Sequence, residues 1–263
     1  MTEPVQAELV HHRVDRGIAT LTLDSPAKRN ALSTQLVVEL ADHLETAARD
    51  DSVRAVVLSH TGRVFCSGAD LSDASPGGGP ADSMRRMLAV LRSILTMPKP
   101  VVARVDGPAR AGGLGLLGAC DIVLASGAAS FCFTEVRLGL APAIISLTTM
   151  PGMTARAVSR YYLTGETFDA TAAEAAGLVT MALHGTADLD AELETILDAL
   201  RRCSPQGLAE TKALTARAGL AALDSGADEM RALSARLFAS EEAREGMASF
   251  LQKRPPRWAP GAP

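Results

Sequence analysis

Two short runs rich in β-branched and alternating apolar residues, Glu8 to Val14 and Ile18 to Leu23, flank the turn residues Asp15, Arg16 and Gly17. This pattern predicts an N-terminal β-hairpin. After the polar stretch SPAKRNALS, residues 25–33, apolar positions recur at helical spacing at Leu36, Val37, Leu40, Leu44 and Ala48. Ser33 stands where its hydroxyl can cap that helix. Val53 to Leu58 then reads as a buried strand, so the chain opens with the strand, helix, strand rhythm of an α/β protein.

Pro76, Gly77, Gly78, Gly79 and Pro80 form the stretch least suited to regular structure and are expected to be a mobile flap. Met84, Met87, Leu88, Leu91, Ile94 and Leu95 beyond it trace an amphipathic helix ended by Pro98. Val101 to Val105 predicts a strand, Gly112 to Ala119 a short glycine-rich helix, Ile122 to Ala125 a strand and Phe131 to Phe133 one more. Leu138 to Ala155 carries no charge, yet Gly139, Pro142, Pro151 and Gly152 interrupt it, and it reads as buried loop and short helix rather than a membrane span. From Leu189 the pattern is helical only: Leu189 to Arg201, Gln206 to Ala218, Ala227 to Phe238 and Glu241 to Leu251. A break near Thr186 therefore separates an α/β body, residues 1–186, from a helical region, residues 187–263. That region could pack on its own body or on a neighbouring subunit.

Composition narrows the partners. The 263 residues are 47% hydrophobic but only 3% aromatic, so the core must be built from Ala, Leu, Val and Ile, and disorder is excluded. A net charge of -4 with both signs interspersed gives no basic field for nucleic acid. The acidic start MTEPVQAELV lacks the pattern of an export signal, which gives a cytoplasmic expectation. Cys66, Cys120, Cys132 and Cys203 are unevenly spaced and read as reduced, small apolar residues. His11, His12, His43, His60 and His184 form no metal-binding or triad spacing.

Gly113, Gly115 and Gly118 satisfy G-x-G-x-x-G after a strand, but the next strand ends in Ser126 and Gly127 rather than an acidic residue, which argues against a nicotinamide site. GRVFCSGADL, residues 62–71, and DGPARAGGLGLLGACD, residues 106–121, each place a small-residue turn directly after a strand. Such turns leave backbone N–H groups without ladder partners, and two of them can converge on one oxyanion. Gly112 also opens a helix, adding the N-terminal dipole. Taken singly, either turn is accounted for by tight turning and close packing.

SPAKRNALS, FCSGADL, AGGLGLLGACD and FTEVRLGLAP, in this order, resemble the enoyl-CoA hydratase/isomerase, or crotonase, family. The resemblance runs on through LTGETFDATAAEAAGLV, residues 163–179, to FLQKRPPRW, residues 250–258. It implies an α/β spiral of ββα units with a C-terminal helical region that builds trimers, often paired into hexamers, and a coenzyme A thioester as substrate with no separate cofactor. It places the two oxyanion-hole amides on Ala69 and Gly112 and an acid–base glutamate on Glu135. It also implies coenzyme A contacts at Lys28, Arg29, Ala31, Ala69, Asp70, Leu71, Phe250 and Lys253.

The family's other glutamate falls on Gly115, where no carboxylate exists. A subset resembling methylglutaconyl-CoA hydratases shows a similar GG-x-GL run and PA-x-IS, here Gly112 to Leu116 and Pro142 to Ser146. Hydration of a 2-enoyl-CoA is therefore the expected reaction, with Δ3,Δ2-enoyl-CoA isomerisation and non-catalytic acyl-CoA binding as alternatives. Glu135 lies among apolar residues, where its pKa should rise; a salt bridge to Arg137 or Arg110 is the structural alternative. Asp70 and Asp73 are expected to cap the turn after Ala69. Leu114, Ile144, Ile145 and Met150 are the expected apolar pocket.

Overall fold

Strands β1 (Val10–Asp15) and β2 (Ile18–Leu23) form the expected antiparallel hairpin, Asp15 opposite Ile18. Arg16 and Gly17 both have positive φ, at 46° and 77°, the conformation whose twist matches a two-residue hairpin turn. This computed structural model describes residues 7–72 and 79–260. Asp73 and most of the expected flap at Pro76 to Pro80 lie outside the described residues.

Helix α1 (Thr34–Arg49) starts where Ser33 Oγ accepts from the Leu36 amide at 3.3 Å, and it leads into β3 (Ala55–His60). Helix α2 (Pro80–Thr96) precedes β4 (Val101–Val105), then β5 (Ala109–Arg110), α3 (Gly112–Ala119), β6 (Ile122–Ser126) and β7 (Ser130–Cys132). A 3₁₀ turn at Glu135–Leu138 is followed by α4 (Ala143–Thr149), α5 (Ala155–Thr164), β8 (Phe168–Asp169), α6 (Ala170–Ala176) and β9 (Met181–Leu183). The chain closes with α7 (Thr186–Arg201), α8 (Pro205–Thr215), α9 (Arg217–Phe238) and α10 (Glu241–Leu251).

Six strands form one sheet in the order β1-β2-β3-β4-β6-β9, parallel except for the hairpin, and β5-β7-β8 form a second, smaller sheet. Because side chains alternate along a strand, β3 sends Val56 and Leu58 to one face and Ala55 and Val57 to the other. The first face packs with α1, α2 and α3, burying Leu36, Leu40, Leu91, Ile94 and Leu114. The second is covered by Leu189 and Leu197 of α7. Both faces of the parallel strands are thus dry, which explains why their sequences read as continuous apolar runs rather than alternating ones.

The C-terminal helices lie against their own body. Helix α9 packs on α2 and α4, and α10 on the Glu135–Leu138 turn. Lys212 of α8 is 4% exposed; its ammonium donates to the Lys99 carbonyl at 2.9 Å and pairs with Asp121 at 2.8 Å. Two expected helices also differ at their junction: the first ends at Thr215, and the next begins at Arg217 rather than near Ala227. Gly219 and Gly226, which look like breakers in sequence, are sites of close approach. A Cβ at Gly226 would lie 2.7 Å from Leu147 Cδ2.

Candidate active site

The site is built where three loops cross. Asn30, fully buried, donates from Nδ2 to the carbonyls of Thr61 and Val64 at 3.1 and 2.8 Å and accepts from the Ser25 amide at 2.7 Å. It therefore pins the 25–33 loop to the segment that leads to Ala69. Next to it the Leu32 amide donates to the Gly68 carbonyl at 2.8 Å, and Leu32 and Ala69 form an isolated parallel bridge.

The second turn is brought against the first by backbone pairing. Phe65 and Arg110 exchange the pattern across the loops, with Phe65 N–H donating to Pro108 O at 3.0 Å and Arg110 N–H to Cys66 O at 2.9 Å. Gly68 has φ +91°, and a Cβ there would meet the Ala111 Cβ at 2.9 Å, so the approach requires glycine. Ala111 itself holds φ 46° and ψ −117°, a conformation that costs an alanine on the order of 1–3 kcal/mol. Its amide is anchored on Cys132 O at 3.2 Å. Among the described residues the Ala69 and Gly112 amides donate no hydrogen bond, as expected of a free turn amide and the first residue of a helix. The two amides predicted to hold an oxyanion therefore sit on turns in direct contact.

The surroundings of Gly112 are apolar. A Cβ at Gly112 would lie 2.7 Å from Leu32 Cδ1, and one at Gly115 would lie 2.6 Å from Ile145 Cγ2 and 3.2 Å from Met87 Cε. Position 115 thus lacks a carboxylate and has no room for one: Ile145, on the β-branched and stiff side of α4, fills the space. The three glycines of the G-x-G-x-x-G match serve packing, Gly113 against Cys66 and Gly118 against Thr148, which removes the dinucleotide reading. Met150 is 49% exposed and does not join Ile145 in the wall, while Leu114 is enclosed in the main core.

Glu135 opens the 3₁₀ turn that follows β7, and β7 pairs with β5, the strand that runs into Ala111 and Gly112. The small sheet thereby sets the acid beside the second amide turn. Glu135 Oε2 is buried and has no hydrogen-bond partner. Burial pushes its pKa up to about 7, with its own backbone amide opposing. Neither arginine proposed as a partner reaches it. Arg110 donates instead to Ser130 O and Ala109 O at 2.6 and 2.8 Å, and Arg137 is exposed.

Of the expected coenzyme A contacts, Lys28 pairs with Asp70 at 3.0 Å, and Asp70 Oδ1 caps Ser72 at 2.9 Å. Arg29, Ala31, Ala69 and Leu71 belong to the same pair of crossing loops. Phe250 and Lys253 are exposed at the end of α10, and among the described residues no hydrogen bond or ion pair joins them to that cluster. Cys203 is exposed rather than buried, unlike Cys66. Sequence reasoning missed Asn30, whose only local signal is a polar residue in a turn. Two cavities, about 360 Å³ against Glu241, Arg244 and Arg257 and about 210 Å³ behind Gly118 and Thr148, do not include the amides or Glu135.

The raised pKa of Glu135 has a consequence for stability. The fold favours the neutral acid, so its contribution is complete below the ordinary value of 4.5 and is lost as pH rises through about 7. That gap corresponds to at most about 3 kcal/mol. Glu135→Gln, always neutral, should melt above the native chain at about pH 8 and level with it at about pH 4.5. Thermal melts at the two pH values check this, and an equal difference at both would contradict it.

A family model described as enoyl-CoA hydratase/isomerase matches residues 13–261. The crystal structure of an enoyl-CoA hydratase from Mycobacterium avium superposes with a TM-score of 0.89 at 49% identity, covering 97% of this chain and 100% of that one. Methylglutaconyl-CoA hydratase from Rattus norvegicus is 30% identical, covering 93% of this chain and 80% of its own. The 1,2-epoxyphenylacetyl-CoA isomerase of Escherichia coli (strain K12) is also 30% identical, covering 95% and 98%. Equal identity to a hydratase and to an isomerase leaves the reaction to be argued from the site. With a model match over nearly its full length and these relatives alongside it, the chain belongs to the enoyl-CoA hydratase/isomerase family and has the crotonase fold.

Proposed function

We propose that the protein is an enoyl-CoA hydratase, adding water across the 2,3-double bond of an acyl-CoA thioester, with the Ala69 and Gly112 amides holding the thioester oxygen. The observation that carries this reading is the buried, unpartnered Oε2 of Glu135, whose surroundings favour a neutral carboxylic acid. A neutral acid can serve both ends of an addition. One oxygen takes a proton from water as the water oxygen bonds to C3, and the other gives its proton to C2, so Glu135 ends neutral as it began. Negative charge passes through the thioester oxygen, where each backbone donor contributes ~3 kcal/mol. Lys28 and Arg29 are assigned to the coenzyme A phosphates, alongside Ala31, Asp70 and Leu71. Phe250 and Lys253 are assigned to the same ligand from α10, and the assembly is read as a trimer or a pair of trimers.

A second reading, double-bond isomerisation, is favoured by one observation: with Ile145 filling the space at Gly115, Glu135 is the one carboxylate identified for the reaction. Isomerisation needs Glu135 ionised, to lift a proton from C2 and return it to C4.

Incubating the native protein with a 2-enoyl-CoA in ¹⁸O water should yield a 3-hydroxyacyl-CoA carrying the label, with kcat/KM falling as pH rises through about 7. Interconversion of 2- and 3-enoyl-CoA without label, and with a rate that falls as pH drops through the same value, would establish the isomerase instead. Glu135→Gln should lower either rate by at least ~10²-fold. Ala69→Pro, which deletes one N–H, should lose ~10²–10³ in kcat while Ala69→Ser keeps native turnover; circular dichroism confirms that both are folded, and comparable turnover in the two would remove Ala69 from the mechanism. Light scattering should give the mass of three or six chains, and a monomer would refute the assembly.

A further inference from the structure

The two segments that end in Ala69 and Gly112 leave the sheet as neighbours, from the ends of β3 and β4. The β3–β4 register stops at Leu58 opposite Ala103, and backbone pairing resumes only where the Phe65 amide donates to Pro108 O at 3.0 Å and Cys66 bridges Ala109. In the gap between, the ring of His60, the last residue of β3, joins the two. Its Nε2 lies 3.1 Å from the Asp106 amide nitrogen, and its Nδ1 lies 3.3 Å from the Thr61 carbonyl.

The direction of both bonds is fixed by their partners. A backbone amide can only donate, so Nε2 accepts; a carbonyl can only accept, so Nδ1 carries the ring's proton. His60 is therefore neutral and in one tautomer. It is 9% exposed and packed edge-on against Phe65, with ring centroids 5.5 Å apart. Burial lowers its pKa from the usual value, the Thr61 carbonyl opposing and the Arg104 charge adding to the effect. The charged groups about it are Arg104 and Asp106 at the end of β4, Asp190 of α7 on Arg104, and Asp24 beyond β2 on the Thr61 hydroxyl.

What His60 grips is itself held. Asp106 Oδ1 accepts from Ser126 Oγ at 2.5 Å and from Thr186 Oγ1 at 3.1 Å, which ties it to the end of β6 and the start of α7. The Thr61 carbonyl also accepts from Asn30 at 3.1 Å. Beyond this rung the segments stay in contact: a Cβ at Gly107 would run into the Arg63 carbonyl, and the Arg110 amide donates to Cys66 O at 2.9 Å before Gly68 meets Ala111. We propose that His60 is a positioning residue for the two amides: by accepting the Asp106 N–H it sets the spacing of the segments at their root, and so the spacing of Ala69 and Gly112 at their tips. This deepens the function proposed above and rests on those amides holding the thioester oxygen. His60 touches no substrate in this role.

The test reads the amides directly, through the C=O stretch of bound butanoyl-CoA labelled with ¹³C at the thioester carbonyl. A saturated thioester is neither hydrated nor isomerised, so the readout is independent of Glu135. Difference infrared spectra should show the stretch displaced to lower frequency in the native protein relative to the free thioester. His60→Gln, whose amide oxygen reaches the place of Nε2, should keep that displacement and native turnover. His60→Asn reaches only the place of Nδ1, and should lose about half of the displacement or more and lower kcat about tenfold with KM within about twofold. Circular dichroism confirms that each variant is folded, and His60→Leu, which fills the ring's place and accepts nothing, replaces His60→Asn if that chain is unfolded. A native displacement in either acceptor-less variant, or its loss in His60→Gln, would overturn the proposal. If the native protein itself shows no displacement, the oxyanion hole falls and this proposal with it. If the native protein shows it and the acceptor-less variants match, only the role of His60 falls.

Discussion

The contact between Gly68 and Ala111 is the constraint on which the site depends. Two turns can present free amides to one oxygen only if their backbones nearly touch, and the 2.9 Å that a Cβ at Gly68 would leave to Ala111 shows how little space is spared. The approach is unfavourable locally. It places an alanine at φ 46° and leaves two amides without an acceptor among the described residues. What maintains it is pairing on both sides: Asn30 and the Leu32–Gly68 bond fix one turn, while Arg110 on Cys66 and Ala111 on Cys132 fix the other. These anchors hang from strands buried on both faces, so the strain is distributed into a core that cannot relax around it.

The same packing sets the chemistry of the acid. Ile145 packs at Gly115 and Leu32 at Gly112, so the amide turn is lined by apolar groups, and the small sheet carries Glu135 onto the turn that follows β7. In such surroundings a carboxylate is disfavoured by desolvation, and among the described residues no arginine forms an ion pair with it. One neutral acid in an apolar site is a different catalyst from a pair of carboxylates sharing a water. It has to exchange protons through its own two oxygens, and whatever determines its protonation determines the rate. A second carboxylate could not be restored by a single substitution, because its Cβ would collide with a side chain that belongs to the core.

Much of this was legible in sequence where local physics decides. The glycine-rich helix Gly112–Ala119 and the strand Val101–Val105 fall on their expected bounds, because flanking Pro, Gly and polar residues delimit each apolar run and the valines of 101–105 favour a strand. The Glu135 neighbourhood was legible for the same reason, FCF on one side and Val136 and Leu138 on the other. What was not legible depends on residues distant in sequence. The G-x-G-x-x-G match meant packing because Cys66, Ile145 and Thr148 approach it, and Gly226 continued a helix because Leu147 lies over it. Short elements such as α6, seven residues of Ala, Thr and Glu, hold no periodicity to read; the Asp169 side chain accepting from the Ala172 amide at 2.8 Å and Gly177 at φ 85° bound it.

The helical region after Thr186 completes the core of the body that precedes it. Helix α7 supplies the second face of the sheet through Leu189 and Leu197, so strands that read as buried on both sides are buried only because that helix returns to cover them. Helix α10 reaches the acid's turn itself. A Cβ at Gly246 would lie 2.4 Å from Leu138, and one at Gly139, where φ is 70°, would lie 2.5 Å from Glu242. Contact at that distance is backbone against backbone and admits no side chain between, so the turn carrying Glu135 is shaped from one side by α5 and from the other by α10. A site assembled from the strand-ending turns of the first half is thus closed by helices of the second. The acid's position then depends on the whole chain being folded, rather than on the α/β body alone.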